Sequence, residues 1–141
     1  MVNVKSAVRT ALVGNSSITA LLGTYAGSPS VHTRRPVPVS ATYPMIIVND
    51  PATITDDDAL VARRSVIVLD VAIYGQQDDH FRDVDALGFL VRTQFHRIKS
   101  ALTVSGYNIY EIVATGPIPA PTDDDEYVGR VVTLSIRIQP N

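Results

Sequence analysis

Two hydrophobic periods stand next to each other in the last third of the chain, and together they dictate a helix lying on a sheet. From Phe81 the apolar positions run Val84, Gly88, Val91, Phe95, Ile98 and Leu102, spaced four and three apart in alternation. Only a helix gathers that spacing into one stripe. The closing segment switches to period two, with Val128, Val132, Leu134, Ile136 and Ile138 on one side and Thr133, Ser135 and Arg137 on the other, the alternation of a strand with one buried face. The first pattern predicts a helix over about 79–102. Asp78, Asp79 and Asp83 stand near its start and Arg92, Arg97 and Lys99 toward its end, which complements the helix macrodipole. Gly88 in mid-stripe costs up to about 1 kcal/mol relative to alanine, and close approach of the helix to a strand explains its presence. The same stripe spans three heptads, but its central glycine and the extra apolar residues Leu87, Phe89 and Leu90 argue against a coiled coil.

Upstream, Val4, Ala7, Val8, Ala11 and Leu12 recur at helical spacing and stop at Gly14-Asn15. Ser16 or Ser17 is placed to cap a second short helix through Leu22, closed by Gly23. Residues 1–24 thus read as a helical N-terminal arm. A proline-containing loop with a brief extended piece at Val31-His32-Thr33 leads to Pro44 and a strand over Met45–Asn49. A second strand covers Ser65–Tyr74, where Ile67, Leu69, Val71 and Ile73 form an aliphatic face, and a third covers Tyr107–Thr115. The connection over residues 50–64 is long and polar, whereas hairpin loops usually run about two to five residues. It reads as a projecting arm of extended strands or as a mobile loop, and in both cases as an element that contacts a partner. The expected fold is α+β: a mainly antiparallel β-sheet covered by one long helix, in a single domain of 141 residues.

A chain of this size buries roughly two thirds of its unfolded surface and needs no staples. It has no cysteine, which excludes disulfides, zinc-thiolate sites and thiol nucleophiles. A net charge of −2 argues against a general nucleic-acid binder. The apolar runs are short and no secretory leader is legible, so the expectation is a soluble, unexported protein with no membrane association.

The candidate chemistry is sparse. Asp78-Asp79-His80 and His96 offer metal-ligand types, but neighbours on a helix diverge, and the two histidines stand about four turns apart. Asp56-Asp57-Asp58 and Asp123-Asp124-Asp125 have the composition of calcium loops without the alternating ligands, glycine and distal glutamate. Neither a nucleophile elbow nor a glycine-rich phosphate loop occurs. No catalytic, cofactor or metal residue is therefore assigned, and the expectation is a non-enzyme without cofactors. Two basic pairs, Arg34-Arg35 and Arg63-Arg64, lack the interleaved aromatics of a nucleic-acid surface. With Asp56, Asp57 and Asp58 they are candidates for an interface between neighbouring copies of the chain.

The order of these elements resembles a known family. A helical start ending near Leu21-Leu22, the extended Val31-His32-Thr33, the strands Tyr43-Pro44-Met45-Ile46-Ile47-Val48 and Val68-Leu69-Asp70-Val71-Ala72-Ile73-Tyr74, the long helix, and an Asp-rich turn before Tyr127-Val128-Gly129-Arg130-Val131 resemble the tail completion or tail terminator proteins of long-tailed bacteriophages. The resemblance implies a structural virion protein, assembled in the host cytoplasm, that caps the head-proximal end of the tail tube as a homo-oligomeric ring, commonly a hexamer. It implies the tail tube protein and the head–tail connector or adaptor as partners, with DNA passing through the channel unread. In such a ring the acidic segments Asp56–Asp58 or Asp123–Asp125 would line the lumen and repel DNA. The alternatives are another neck or head-completion adaptor and, from a different class, a small-ligand or nucleic-acid enzyme, which requires a convergent polar cluster that the sequence does not display.

Overall fold

A computed structural model describes residues 4–34, 40–51, 53–58, 63–120 and 126–140. Two helices open the chain, α1 (Val4–Val13) and α2 (Ser16–Thr19). The small ribbon β1 (Thr24–Tyr25) and β2 (Ser28–Pro29) precedes β3 (Val31–His32), β4 (Met45–Val48), β5 (Thr53–Asp58) and β6 (Arg63–Gln76). Helix α3 (Gln77–Phe95), a 3-10 turn over Lys99–Ala101, β7 (Tyr107–Pro119) and β8 (Tyr127–Pro140) complete it. The fold is α+β and dominated by one mixed sheet of order β3-β4-β6-β8-β7, with β5 also paired to β6. Every pairing in this sheet is antiparallel except β3 with β4.

The sheet is organised by the β6–β8 ladder, whose register runs unbroken from Ser65 opposite Ile138 to Gln76 opposite Tyr127. Alternation then puts Ile67, Leu69, Val71 and Ile73 of β6 and Val128, Val132, Leu134, Ile136 and Ile138 of β8 on one face, and all of them are buried. Val84, Leu87, Val91 and Phe95 of α3 are buried in the same core cluster, and α3 packs across β6, β7 and β8. The stripe therefore covers a sheet, not a second helix. Gly88 allows the approach: a Cβ there would stand 2.7 Å from Cβ of Pro117 on β7. On the opposite face Tyr74 lies over Gly129, its cross-strand partner, where an added Cβ would meet the ring at 2.9 Å.

The helix ends earlier than its stripe. Its last regular bond is His96 N–H to the Arg92 carbonyl. Arg97 then turns to a positive φ of 61° and donates its N–H to the carbonyl of Ile112 on β7 at 2.8 Å. His96 Nδ1 accepts the amide of Ala114 at 3.1 Å. A tertiary hydrogen-bond partner thus stops a helix that the spacing would continue to Leu102. Leu102 still enters the core from the following turn, whereas Ile98 is exposed. Among Arg92, Arg97 and Lys99, Arg92 is the one in the last helical turn.

The N-terminal segment is a structural layer and not an arm. Val4, Val8, Leu12 and Ile18 are buried in the common core. Asn15, not Ser16 or Ser17, caps α2, its Oδ1 accepting the amides of Ser17 and Ile18. The Asn15 Nδ2 donates to Gln94 Oε1, and Gln94 Nε2 donates to the Ala11 carbonyl at 2.9 Å. One side chain of α3 thereby fastens both small helices, and its amide satisfies a carbonyl at the end of α1 that lacks a helical donor.

Most of the connection over residues 50–64 is strand. β5 pairs with β6 from Thr53 opposite Val68 to Asp58 opposite Arg63, along the edge of β6 that β4 occupies from Met45 to Val48. The register shifts by two residues across the Pro51 region, so β4 and β5 form one interrupted partner to a long β6. Polar residues pair there through their backbones, so of the two readings the extended strands hold for Thr53–Asp58.

Two substitutions test this packing in urea unfolding. Phe95→Ala leaves a cavity at a site with no solvent exposure and is expected to lower stability by about 3–5 kcal/mol; a neutral result would mean that α3 does not cover the sheet. Gly88→Ala should gain about 1 kcal/mol from helix propensity yet lose about 1–3 kcal/mol by overpacking against the rigid Pro117 ring. A net increase in stability would contradict the close contact.

Candidate interaction surfaces

The two edges of the sheet carry different chemistry. At the β7 edge, Phe81, Asp85 and Phe89 stand four apart on one flank of α3. Phe81 is exposed and Phe89 is 60 % exposed. Beside them Arg130 of β8 donates from Nε to Asp85 Oδ1 at 2.8 Å and from a terminal nitrogen to the Gly129 carbonyl. Its guanidinium carbon lies 5.7 Å from the centre of the Phe81 ring, a cation–π distance. Ile118, 57 % exposed on β7, adds apolar surface to the same edge, on the opposite face of the sheet with its partner Val131. Pro117 and Pro119 lack the amide hydrogens that would invite another strand. At its Pro117–Pro119 end this edge offers a side-chain surface instead of a backbone ladder.

At the β3 edge the chemistry is cationic. A cavity of about 500 Å³ is lined by residues that include Arg9, Tyr25, His32, Thr33 and Arg34. Arg9 Nε donates to the Val31 carbonyl at 3.0 Å, which fixes the guanidinium against the strand. His32 Nε2 bonds the fully buried Ser30 hydroxyl at 2.8 Å, and the Tyr25 ring meets the imidazole edge-on at 5.8 Å. Burial, and then the Arg9 charge, hold the His32 pKa below its ordinary 6.5. Ser30 and His32 lie side by side, but no carboxylate lines the cavity among the described residues, so the constellation lacks the third group of a hydrolytic triad.

The hairpin bearing the interface candidates is defined by its backbone. Register sets Asp56 opposite Ser65, Asp57 opposite Arg64 and Asp58 opposite Arg63. The acidic triplet thus stands on a strand and not in a turn, facing a basic pair of its own chain across one ladder. Arg34 is exposed and joins the cavity. Arg35 and the triplet Asp123, Asp124 and Asp125 lie outside the described residues.

The histidines considered as metal ligands have structural partners. His80 Nδ1 accepts the amide of Gln76 at the start of α3, and His96 caps its end as described above. Among the described residues no group of three or more metal-ligating side chains comes together, and no helix is long and apolar enough to cross a membrane. Phe81, Phe89, Ile118, Arg9 and His32 were not singled out as surface residues from the sequence. Phe89 did carry a signal, as an apolar residue off the helical stripe. Arg9 and His32 carried none, being distant in the chain.

No protein family and no curated protein matches the sequence. Solved structures do match the fold. A chain from the virion of a native gene transfer agent particle superposes with a TM-score of 0.76 at 14 % identity, over 96 % of this chain and 93 % of that one. A second solved protein aligns with a TM-score of 0.52 at 16 % identity, over 97 % of this chain and 92 % of that one.

The lowered His32 pKa gives a test with a definite sign. Because the unfolded chain takes up this proton more readily, the contribution is fully present above pH 6.5 and is lost as pH falls through the folded-state value. Thermal melts between neutral and mildly acidic pH should show a shallower loss of stability for His32→Gln than for the parent chain. Parallel curves would remove His32 from the account.

Proposed function

We propose that this chain is a structural virion protein that forms a ring capping the head-proximal end of a phage-type tail tube and joins that tube to the head connector. The observation that carries the reading is the fold shared, nearly end to end, with a chain of a gene transfer agent virion. The two dissimilar edges support it. A closed ring needs a heterologous contact, in which one patch of each subunit meets a different patch of the next. An apolar edge on β7 and a cationic edge on β3 are two such patches. The partners are further copies of the chain, commonly six in proteins that this sequence resembles, the tail tube protein, and the head–tail connector or adaptor. The hairpin of β5 and β6 contacts a neighbouring subunit or the tube, and acidic segments facing the lumen would keep the passing DNA from sticking.

The role is structural, in the virion, after assembly in the host cytoplasm. Its test is a null allele in the producing phage or particle system. Tails of uncontrolled length, corrected by the wild-type chain in trans, are the expected result. Tails of normal length that fail only to join heads would reassign the chain as a neck adaptor. In solution, native mass spectrometry of the purified chain, with and without tube protein, should show a closed multimer, and a strictly monomeric chain under both conditions would count against a ring.

A further inference from the structure

The cavity beside β3 collects positive charge without a counter-charge. Arg9 reaches it from α1, Tyr25 from the β1–β2 ribbon, His32 from β3, and Thr33 and Arg34 from the turn that follows, and among the described residues none that lines it is acidic. Among those residues neither Arg9 nor Arg34 forms an ion pair. Two guanidinium ions thus line one concave site, an arrangement that like-charge repulsion opposes and a bound anion relieves.

Two of these groups are held by partners of their own. Arg9 Nε donates to the Val31 carbonyl at 3.0 Å, which fixes the guanidinium and leaves its terminal nitrogens as the donors for a ligand. Ser30 is fully buried, and its hydroxyl has the His32 Nε2 at 2.8 Å as its partner. A buried hydroxyl that donated nowhere would forfeit a hydrogen bond, so it donates to Nε2 and the ring proton sits on Nδ1. His32, kept neutral at pH 7 by burial and by the Arg9 charge, therefore offers one N–H, and Tyr25 and Thr33 add hydroxyls. A ligand finds Arg9 and His32 already ordered.

We propose that the cavity around Arg9, His32 and Arg34 is a binding site for a dianionic phosphate group, taken as inorganic phosphate or as the phosphate of a small monoester. Such a group carries about −1.5 to −2 charges at pH 7 and several strong acceptor oxygens, which matches two guanidinium ions, a neutral N–H donor and hydroxyls. A carboxylate, with a single charge and two oxygens, is met by one guanidinium fork and leaves the second arginine unmatched. The backbone of a nucleic acid calls for an extended basic stripe, whereas this is one hollow of about 500 Å³, within the roughly 300–1,000 Å³ of small-molecule sites. All its groups come from one subunit, so the site stands independently of the ring reading.

The test is an NMR titration of the full chain at constant pH and ionic strength, with sodium phosphate, adenosine monophosphate, sodium acetate, an oligo-aspartate peptide and a short DNA duplex as separate probes. Phosphate and the nucleotide should shift the His32 ring and the Thr33 and Arg34 amide signals saturably and compete with each other. Tighter binding of the nucleotide identifies the ester as the source of the group, and tighter binding of phosphate identifies the free ion. Arg34→Gln, at an exposed position, should weaken phosphate binding about tenfold while the core resonances stay in place. Arg9→Lys, which keeps the charge and loses the planar fork, should weaken it by about as much. Three results would each overturn the proposal: no saturable response to phosphate, phosphate binding that Arg34→Gln leaves unchanged, or acetate, the peptide or the duplex binding as tightly as phosphate.

Discussion

The β6–β8 ladder is the constraint on which the rest of the molecule depends. Its pairing runs from Ser65 with Ile138 to Gln76 with Tyr127 without a bulge, so a slip of one residue would turn every aliphatic side chain of both strands to the other face. The ladder holds those side chains in one plane beneath α3, whose own stripe is buried against them. Each half supplies what the other lacks: an amphipathic helix is stabilised mainly by the surface it covers, and a sheet with one aliphatic face needs a cover. Around this pair the remaining elements are additions at the edges.

Those additions make the two edges unlike. On one side β7 carries two bulge-like register shifts and prolines, and leaves Ile118 exposed. The flank of α3 beside it presents Phe81 and Phe89 around the Arg130–Asp85 pair. That ion pair is partly screened, with the Arg130 side chain 18 % exposed and Asp85 39 %, and so orders the surface more than it stabilises the fold. On the other side the two-residue β3 ends the sheet, and α1 brings Arg9 across it. The protomer therefore presents two distinct patches, one on each flank, which is what a head-to-tail contact requires.

Candidate surfaces were legible in proportion to how local they are. Arg34 and the acidic triplet Asp56–Asp58 stood out because like residues adjoin in the chain, and the structure places Arg34 at the cavity and the triplet on β5. Their surroundings were not legible. Arg9 reaches Val31 over 22 residues of sequence, and Arg130 reaches Asp85 over 45, distances at which no period or spacing connects two positions. The polar run after Val48 reads equally as extended strands or as a loop because strand signals come from side-chain alternation, whereas β5 is held by backbone pairing along an already formed strand.

By itself the sequence determined the class of fold, since a period of 3.6 and a period of 2 in adjoining segments leave a helix on a sheet as the way to bury both apolar faces. It also determined the buried faces of β6 and β8, the core positions Val84, Val91 and Phe95 of α3, and that Gly88 marks a close approach, whereas Leu87, off the stripe, is buried and Ile98, on it, is exposed. Tertiary structure decided where α3 stops, because the Ile112 carbonyl and the Ala114 amide bind Arg97 and His96 more favourably than another helical turn would. It decided that α1 and α2 belong to the core, because Gln94 and a shared apolar surface hold them there. It decided too which charged residues meet at each edge, because strand order, and not position in the chain, sets which side chains become neighbours.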